Sequence, residues 1–132
     1  MAHAVTSAPI LRLVRSAQSG LKAMAAAYAV VYTESSISGM AYIFAGAEYD
    51  LSSMAGVDVI DVRVRKVLVS GGGWVNHDEK TYTGVQPTSH PSKHIGPIPD
   101  AYGVEISMRQ TAGAALRTIP CEFFDAKRLG VP

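Results

Sequence analysis

The sequence predicts an all-β domain: an antiparallel β-sandwich of jelly-roll-like form, preceded by an N-terminal arm or short helix. Three observations carry this. Residues 57–70 and 103–110 alternate apolar and polar side chains with a period of two. Clusters of glycine and proline separate short β-forming runs along the rest of the chain. Long helical patterns alternating with strands, which would mark a doubly wound fold, are missing from the sequence.

A chain of 132 residues suits one core and one domain. We divide it into an arm, 1–20, and a sandwich domain, 21–132. Charge distinguishes the arm. Before Glu34 the charged side chains are Arg12, Arg15 and Lys22, whereas residues 34–61 hold five carboxylates and no Lys or Arg. Ile10, Leu11, Leu13 and Val14 follow Ser7-Ala8-Pro9 at spacings that fit a short amphipathic helix, since Pro is favoured in a first helical turn. So short a helix is marginal in water. The segment Ile10, Leu11, Arg12, Leu13, Val14 and Arg15 is therefore expected to bind a partner, either a neighbouring copy or another protein of an assembly.

Beyond Gly20, residues 26–33 end in β-formers, and 39–46 form an apolar run bounded by glycines. Within 57–70, Ile60, Val62, Val64 and Leu68 share one parity while Asp61, Arg63 and Arg65 share the other. Lys66 breaks the parity and marks a bulge, a strand end or a switch of face. Gly71-Gly72-Gly73 then turns the chain into a further strand that begins Trp74-Val75-Asn76-His77. Residues 86–100, with Pro87, Pro91, Pro97 and Pro99, read as a long surface loop without regular structure. In 103–110, Val104, Ile106 and Met108 oppose Glu105, Ser107 and Arg109. Residues 111–115 give a hairpin-like connection into 116–125, where Ile119, Cys121 and Phe123 share a face. Pro120 makes that stretch an edge or bulged strand.

Composition limits the function classes. A net charge of +1 argues against a dedicated nucleic-acid binder. No run approaches the ~18 apolar residues of a membrane span, and the first residues lack the pattern of a secretory signal. One cysteine cannot make an internal disulfide framework. Charged residues make up 17% of the chain against a usual ~25%, which points to a surface partly covered by copies of itself.

Each candidate chemistry has a plainer explanation. His90 and His94, with His77-Asp78-Glu79, could ligate zinc, yet Pro91 opposes the helix that would bring them together and Lys93 opposes a cation. They read as exposed loop histidines. Cys121, flanked by Pro120 and Glu122, reads as a buried thiol rather than a nucleophile. Gly71-Gly72-Gly73 runs into a strand and so suits a turn better than a phosphate cradle. Glu48 and Asp50 read as solvated charges. Tyr42, Tyr49, Trp74, Tyr82 and Tyr102 read as core or cross-strand aromatics rather than a sugar platform. No catalytic residue, cofactor site or metal site is assigned, and the protein is expected not to be an enzyme.

Two segments carry a resemblance. One is Tyr49-Asp50-Leu51-Ser52-Ser53-Met54-Ala55-Gly56-Val57-Asp58, leading into a strand. The other is Arg109-Gln110-Thr111-Ala112-Gly113, leading into Arg117-Thr118-Ile119-Pro120-Cys121-Glu122-Phe123. Over roughly residues 30 to 129 the chain resembles small β-sandwich virion proteins of tailed bacteriophages, although Val57 interrupts the usual Gly-Asp pair. The resemblance implies a capsid decoration (cement) protein, or a head–tail or tail component. It implies residence in the virion after assembly in the host bacterial cytoplasm. The expected partners are the protein itself, as a closed homo-oligomer such as a trimer, and the major capsid or other virion proteins, with no membrane and no specific nucleic acid. The rival expectation is a carbohydrate- or receptor-binding module using the Trp74 hairpin and residues 86–100. A small hydrolase or isomerase ranks last.

Overall fold

The structure, a computed structural model, describes residues 10–34, 42–100 and 102–129. All regular elements among them are strands: β1 (Ile10–Arg15), β2 (Gly20–Ala23), β3 (Ala29–Glu34), β4 (Tyr42–Asp50), β5 (Val59–Val67), β6 (Trp74–Thr83), β7 (Ser92–Ile95), β8 (Ile98–Asp100), β9 (Val104–Ala112) and β10 (Thr118–Leu129).

Two antiparallel sheets face each other. One runs β1-β10-β4-β7, with β2 continuing beside β10 and β8 beside β4; the other runs β3-β9-β5-β6. The chain changes sheet between β2 and β3, β3 and β4, β4 and β5, β6 and β7, β8 and β9, and β9 and β10. That order is the double Greek key of a jelly roll. The predicted fold class is the observed one.

Alternation places the core where the pattern put it. Ile60, Val62 and Val64 from β5, Val104, Ile106 and Met108 from β9, and Ile119, Cys121 and Phe123 from β10 all point inward and are buried. Tyr32 links the sheets, with its ring centroid 4.9 Å from Phe44 and 5.0 Å from Phe123. Each such side chain contributes about 1.5–3 kcal/mol when withdrawn from water. Leu68, expected on the inward face, lies just past the end of β5 and is 60% exposed.

The structure corrects several expectations. Ile10–Arg15 is a strand, not a helix, and pairs along its whole length with β10, from Ile10 opposite Leu129 to Arg15 opposite Phe124. Six β-branched, leucine and arginine residues suit either state, and the open flank of β10 decides. The boundary at residue 20 does not separate arm from body, because Gly20 opens β2 and lies opposite Cys121. Residues 86–100 are not structureless, since β7 pairs with β4 through Ala47–Ile95 to Asp50–Ser92 and β8 through Phe44–Ile98. Both lie at a sheet edge, where Pro99 can stand opposite Ile43 without needing a donor on its open side. The segment after β9 is no hairpin, for β9 and β10 belong to different sheets. The irregularity expected at Lys66 falls between Val64 and Arg65, in the pairing with β6. Pro120 lies opposite Leu21 of β2, while pairing with β4 begins only at Cys121, so the proline has a neighbour on one side. Residues 1–9 of the arm and 39–41 of the apolar run lie outside the described residues.

Candidate interaction site

The segment predicted to bind a partner makes its backbone contacts within its own sheet. In β1, Val14 is half-buried and Arg15 exposed; the side chains of Ile10, Leu11, Arg12 and Leu13 lie outside the described ones. The Arg15 guanidinium donates from Nε (2.6 Å) and Nη2 (3.2 Å) to the two oxygens of Glu122 on β10. That fork holds the Glu122 carboxyl below its ordinary range and raises the guanidinium. The turn into β2 is tied down as well. The Ser16 N–H donates to the Phe123 carbonyl at 2.8 Å, and the Phe123 N–H donates to Ser19 Oγ at 2.9 Å. From the same turn, Gln18 reaches the opposite sheet: its Nε2 donates to the Thr33 carbonyl and its Oε1 accepts from the Thr33 N–H, each at 2.9 Å.

The two segments that carry the resemblance meet at one end of the sandwich. Asp58 accepts from the Ala55 N–H (2.9 Å) and from Arg117 Nε (2.6 Å), and its carboxyl is held low chiefly by the Arg117 bond. Gln110 spans the loop after β9, donating to the carbonyls of Ala112 (3.1 Å) and Ala115 (2.8 Å) and accepting from the Arg117 N–H (2.8 Å). Gly113, at φ +125°, lies so close to Asp58 and Gln110 that no side chain fits. The motifs form a lock between two loops. Sequence spacing alone could not reveal it, because the partners are far apart in the chain.

A polar face on the second sheet also escaped the sequence reading. Asp61 stands opposite Arg109, and Arg65 opposite Glu105, across β5 and β9. Arg109 Nε donates to Asp61 at 2.7 Å, Thr81 Oγ1 donates to the other Asp61 oxygen at 2.7 Å, and Arg65 holds Glu105 at 2.5 and 2.9 Å. Tyr28 lies between Arg63 and Arg109, with guanidinium carbons 3.9 and 4.3 Å from its ring centroid. The alternation of Asp61, Arg63 and Arg65 against Glu105, Ser107 and Arg109 was the signal; the register gives it meaning. Asp61 pairs with Arg109 and Glu105 with Arg65, whereas Arg63 packs on the Tyr28 ring and its Nε meets no hydrogen-bond partner among the described residues.

The remaining candidates are scattered. His77 lies on β6, His90 in a turn and His94 on β7 opposite Glu48, all exposed. Among the described residues no group of three His, Cys, Asp or Glu side chains converges on a metal position. Cys121 is buried against Met108 and Ile119, and burial pushes its thiol up to about 12, so it is neutral at physiological pH. Asp50 accepts from the Ser52 N–H in the turn after β4. Tyr49 and Tyr82 share a 2.7 Å hydroxyl contact inside the sandwich, and Trp74 packs on Gly103. The Tyr42 side chain lies outside the described ones, and among those described the aromatics do not form a common platform.

Glu48, His94 and Phe124 border a hollow of about 370 Å³ above Gly46. Glycine is required there because a Cβ would stand 2.7 Å from the Ile95 carbonyl oxygen, where β4 and β7 approach closely. Apolar side chains are also exposed at the β5–β6 hairpin tip, where Leu68 and Val69 (64% exposed) precede the three glycines, and on β2, where Leu21 is 72% exposed. No family model, curated protein or solved structure matches the chain.

Proposed function

We propose that this chain is a non-enzymatic structural protein of a tailed-bacteriophage virion, most simply a capsid decoration or cement protein. The observation that carries the reading is the jelly-roll strand order, a plan used by viral capsid domains, lectins and cupins. The resemblance in the two loop segments selects among those uses. The lock they form, with Asp58, Gln110 and Arg117 mutually satisfied, supports a rigid building block. In this reading many copies each make weak contacts with the shell, and multivalency supplies the holding strength without a catalytic constellation. Purified protein added to heads lacking it should bind to a stoichiometry set by the shell's symmetry and raise the temperature at which heads release DNA. Absence of binding to heads and tails alike would overturn the proposal.

A carbohydrate- or receptor-binding module is the second reading, favoured by the hollow above Gly46. There Phe124 offers an aromatic surface beside the carboxylate of Glu48 and the imidazole of His94. Selective binding on a glycan array, lost in Glu48→Gln, would favour this reading.

A further inference from the structure

Three of the sheet edges in this sandwich are guarded. Along β3, the Gln18 amide occupies the backbone N–H and C=O of Thr33 as a neighbouring strand would. β6 carries Asn76, His77, Asp78, Glu79 and Lys80 in succession, with a register shift against β5. β7 and β8 are four and three residues long, with Pro97 between them and Pro99 within. Short length, charge, proline and bulges are the usual means by which edges are kept from pairing.

On the fourth edge β2 is only four residues long, and β1 is guarded by two arginines alone, with no proline, bulge or capping side chain among the described residues. It runs Ile-Leu-Arg-Leu-Val-Arg with no proline, glycine or acidic residue, and pairs with β10 without any register shift. It also ends the strand order of its sheet. The Ser16 N–H donates to the Phe123 carbonyl, so alternation turns the backbone groups of Val14, Arg12 and Ile10 toward β10. Those of Leu11, Leu13 and Arg15 turn to the other flank, where no strand among the described residues pairs with β1. Such a row of donors and acceptors at period two is satisfied by another extended strand.

We propose that β1 pairs antiparallel with β1 of a second copy across a two-fold axis, joining the two β1 sheets into one continuous sheet. The occupant is a second copy because one register makes this strand its own complement. With Leu13 opposite Leu13 of the second copy, Leu11 stands opposite Arg15 and Arg12 opposite Val14, so no two arginines face each other. Sliding one pairing step toward the N-terminus sets Arg12 opposite Arg12, which like-charge repulsion disfavours. Sliding the other way leaves Leu11 and Arg12 beyond the end of the partner strand. The register thus follows from the sequence of β1, and a two-fold pairing needs only this one surface. The dimer deepens the virion reading by naming the contact between copies, and it is tested separately from attachment to a particle.

The experiment uses the full chain and light scattering coupled to gel filtration at micromolar concentrations. Wild type is expected to be a dimer or an assembly of dimers. Leu13→Pro removes an N–H that faces the open flank and is not bonded to β10, so the fold should persist by circular dichroism. The dimer dissociation constant should rise roughly tenfold or more, for the lost hydrogen bonds on both copies. Leu13→Cys should form a covalent dimer under mild oxidation, because such paired positions lie about 5.5 Å apart between Cα atoms, within a disulfide's span. Leu21→Cys should not. If Leu13→Pro misfolds, the cross-link alone decides. A monomeric wild type, or a dimer that Leu13→Pro leaves intact and Leu13→Cys fails to cross-link, overturns the pairing. A monomer that still decorates heads would refute the pairing and leave the virion reading standing, whereas a cross-linked dimer that binds no particle would do the reverse.

Discussion

Two donors hold the Asp58 carboxylate, Arg117 Nε and the Ala55 N–H, and the folded group ionises at a lower pH than an ordinary aspartate. Its contribution to stability is therefore complete above the unfolded value, about 3.9, and is lost as pH falls through that value toward the folded one. Arg117→Met removes the larger cause of the shift. We expect the variant to be less stable than wild type at neutral pH, with a gap that narrows as pH falls below about 4. Urea unfolding at a series of pH values checks this; a gap constant with pH would show that Arg117 acts through packing alone. Glu122 is lowered in the same direction by Arg15, but both partners are exposed at the surface, where an ion pair contributes little.

At the level of elements, Gln18 shows how a loop substitutes for a strand. Its amide carries a donor and an acceptor in the geometry of a peptide group, and it caps an edge strand whose Val30 is 53% exposed. Gln18→Leu should change the unfolding free energy by no more than about 1–2 kcal/mol, as for lost surface hydrogen bonds. It should nevertheless speed aggregation on mild heating, read as turbidity, because the β3 edge becomes free to pair. An unchanged aggregation rate would mean that the cap has no protective role. The elements differ in how far the sequence disclosed them. β5 and β9 were legible because each turns an apolar face to the core and carries charged residues on the other, which writes a period of two directly into the residues. β7 and β8 were hidden because prolines signal a loop locally, while their pairing with β4 is decided by residues far away. β1 was ambiguous, since six residues cannot separate a period of 3.6 from one of two. The loop lock was half legible: both segments stood out, but not that Asp58 of one grips Arg117 after the other. Nothing in the sequence marked the hollow above Gly46, which depends on how β4, β7 and β10 lie together.

For the molecule as a whole, the pairing of β1 with β10 changes what removal of the arm should do. A detachable arm could be cut away without harm, but residues 10–19 cover the flank of β10 through Ile10–Leu129 to Arg15–Phe124 and fasten Phe123 through Ser16 and Ser19. A chain lacking residues 2–19 should therefore be destabilised by several kcal/mol, at about 1.5–3 kcal/mol per apolar side chain uncovered, and should associate nonspecifically through the bared edge of β10. Denaturant unfolding and gel filtration check this. A truncated chain of unchanged stability would show that β1 is dispensable to the fold. The same pairing bears on how the chain reaches its folded state. Among the described strands β1 comes first, and its partner β10 comes last. During synthesis the first strand must wait, extended or loosely collapsed, until the last has left the ribosome. The closing contact pairs residues more than a hundred positions apart, from Ile10–Leu129 to Arg15–Phe124, and carries a large loop entropy, so folding should be slow and finish late. In that interval β1, β2 and β4, the strands that flank β10, are exposed to each other and to other nascent chains. Assembly errors between copies would begin there, before any native dimer could form.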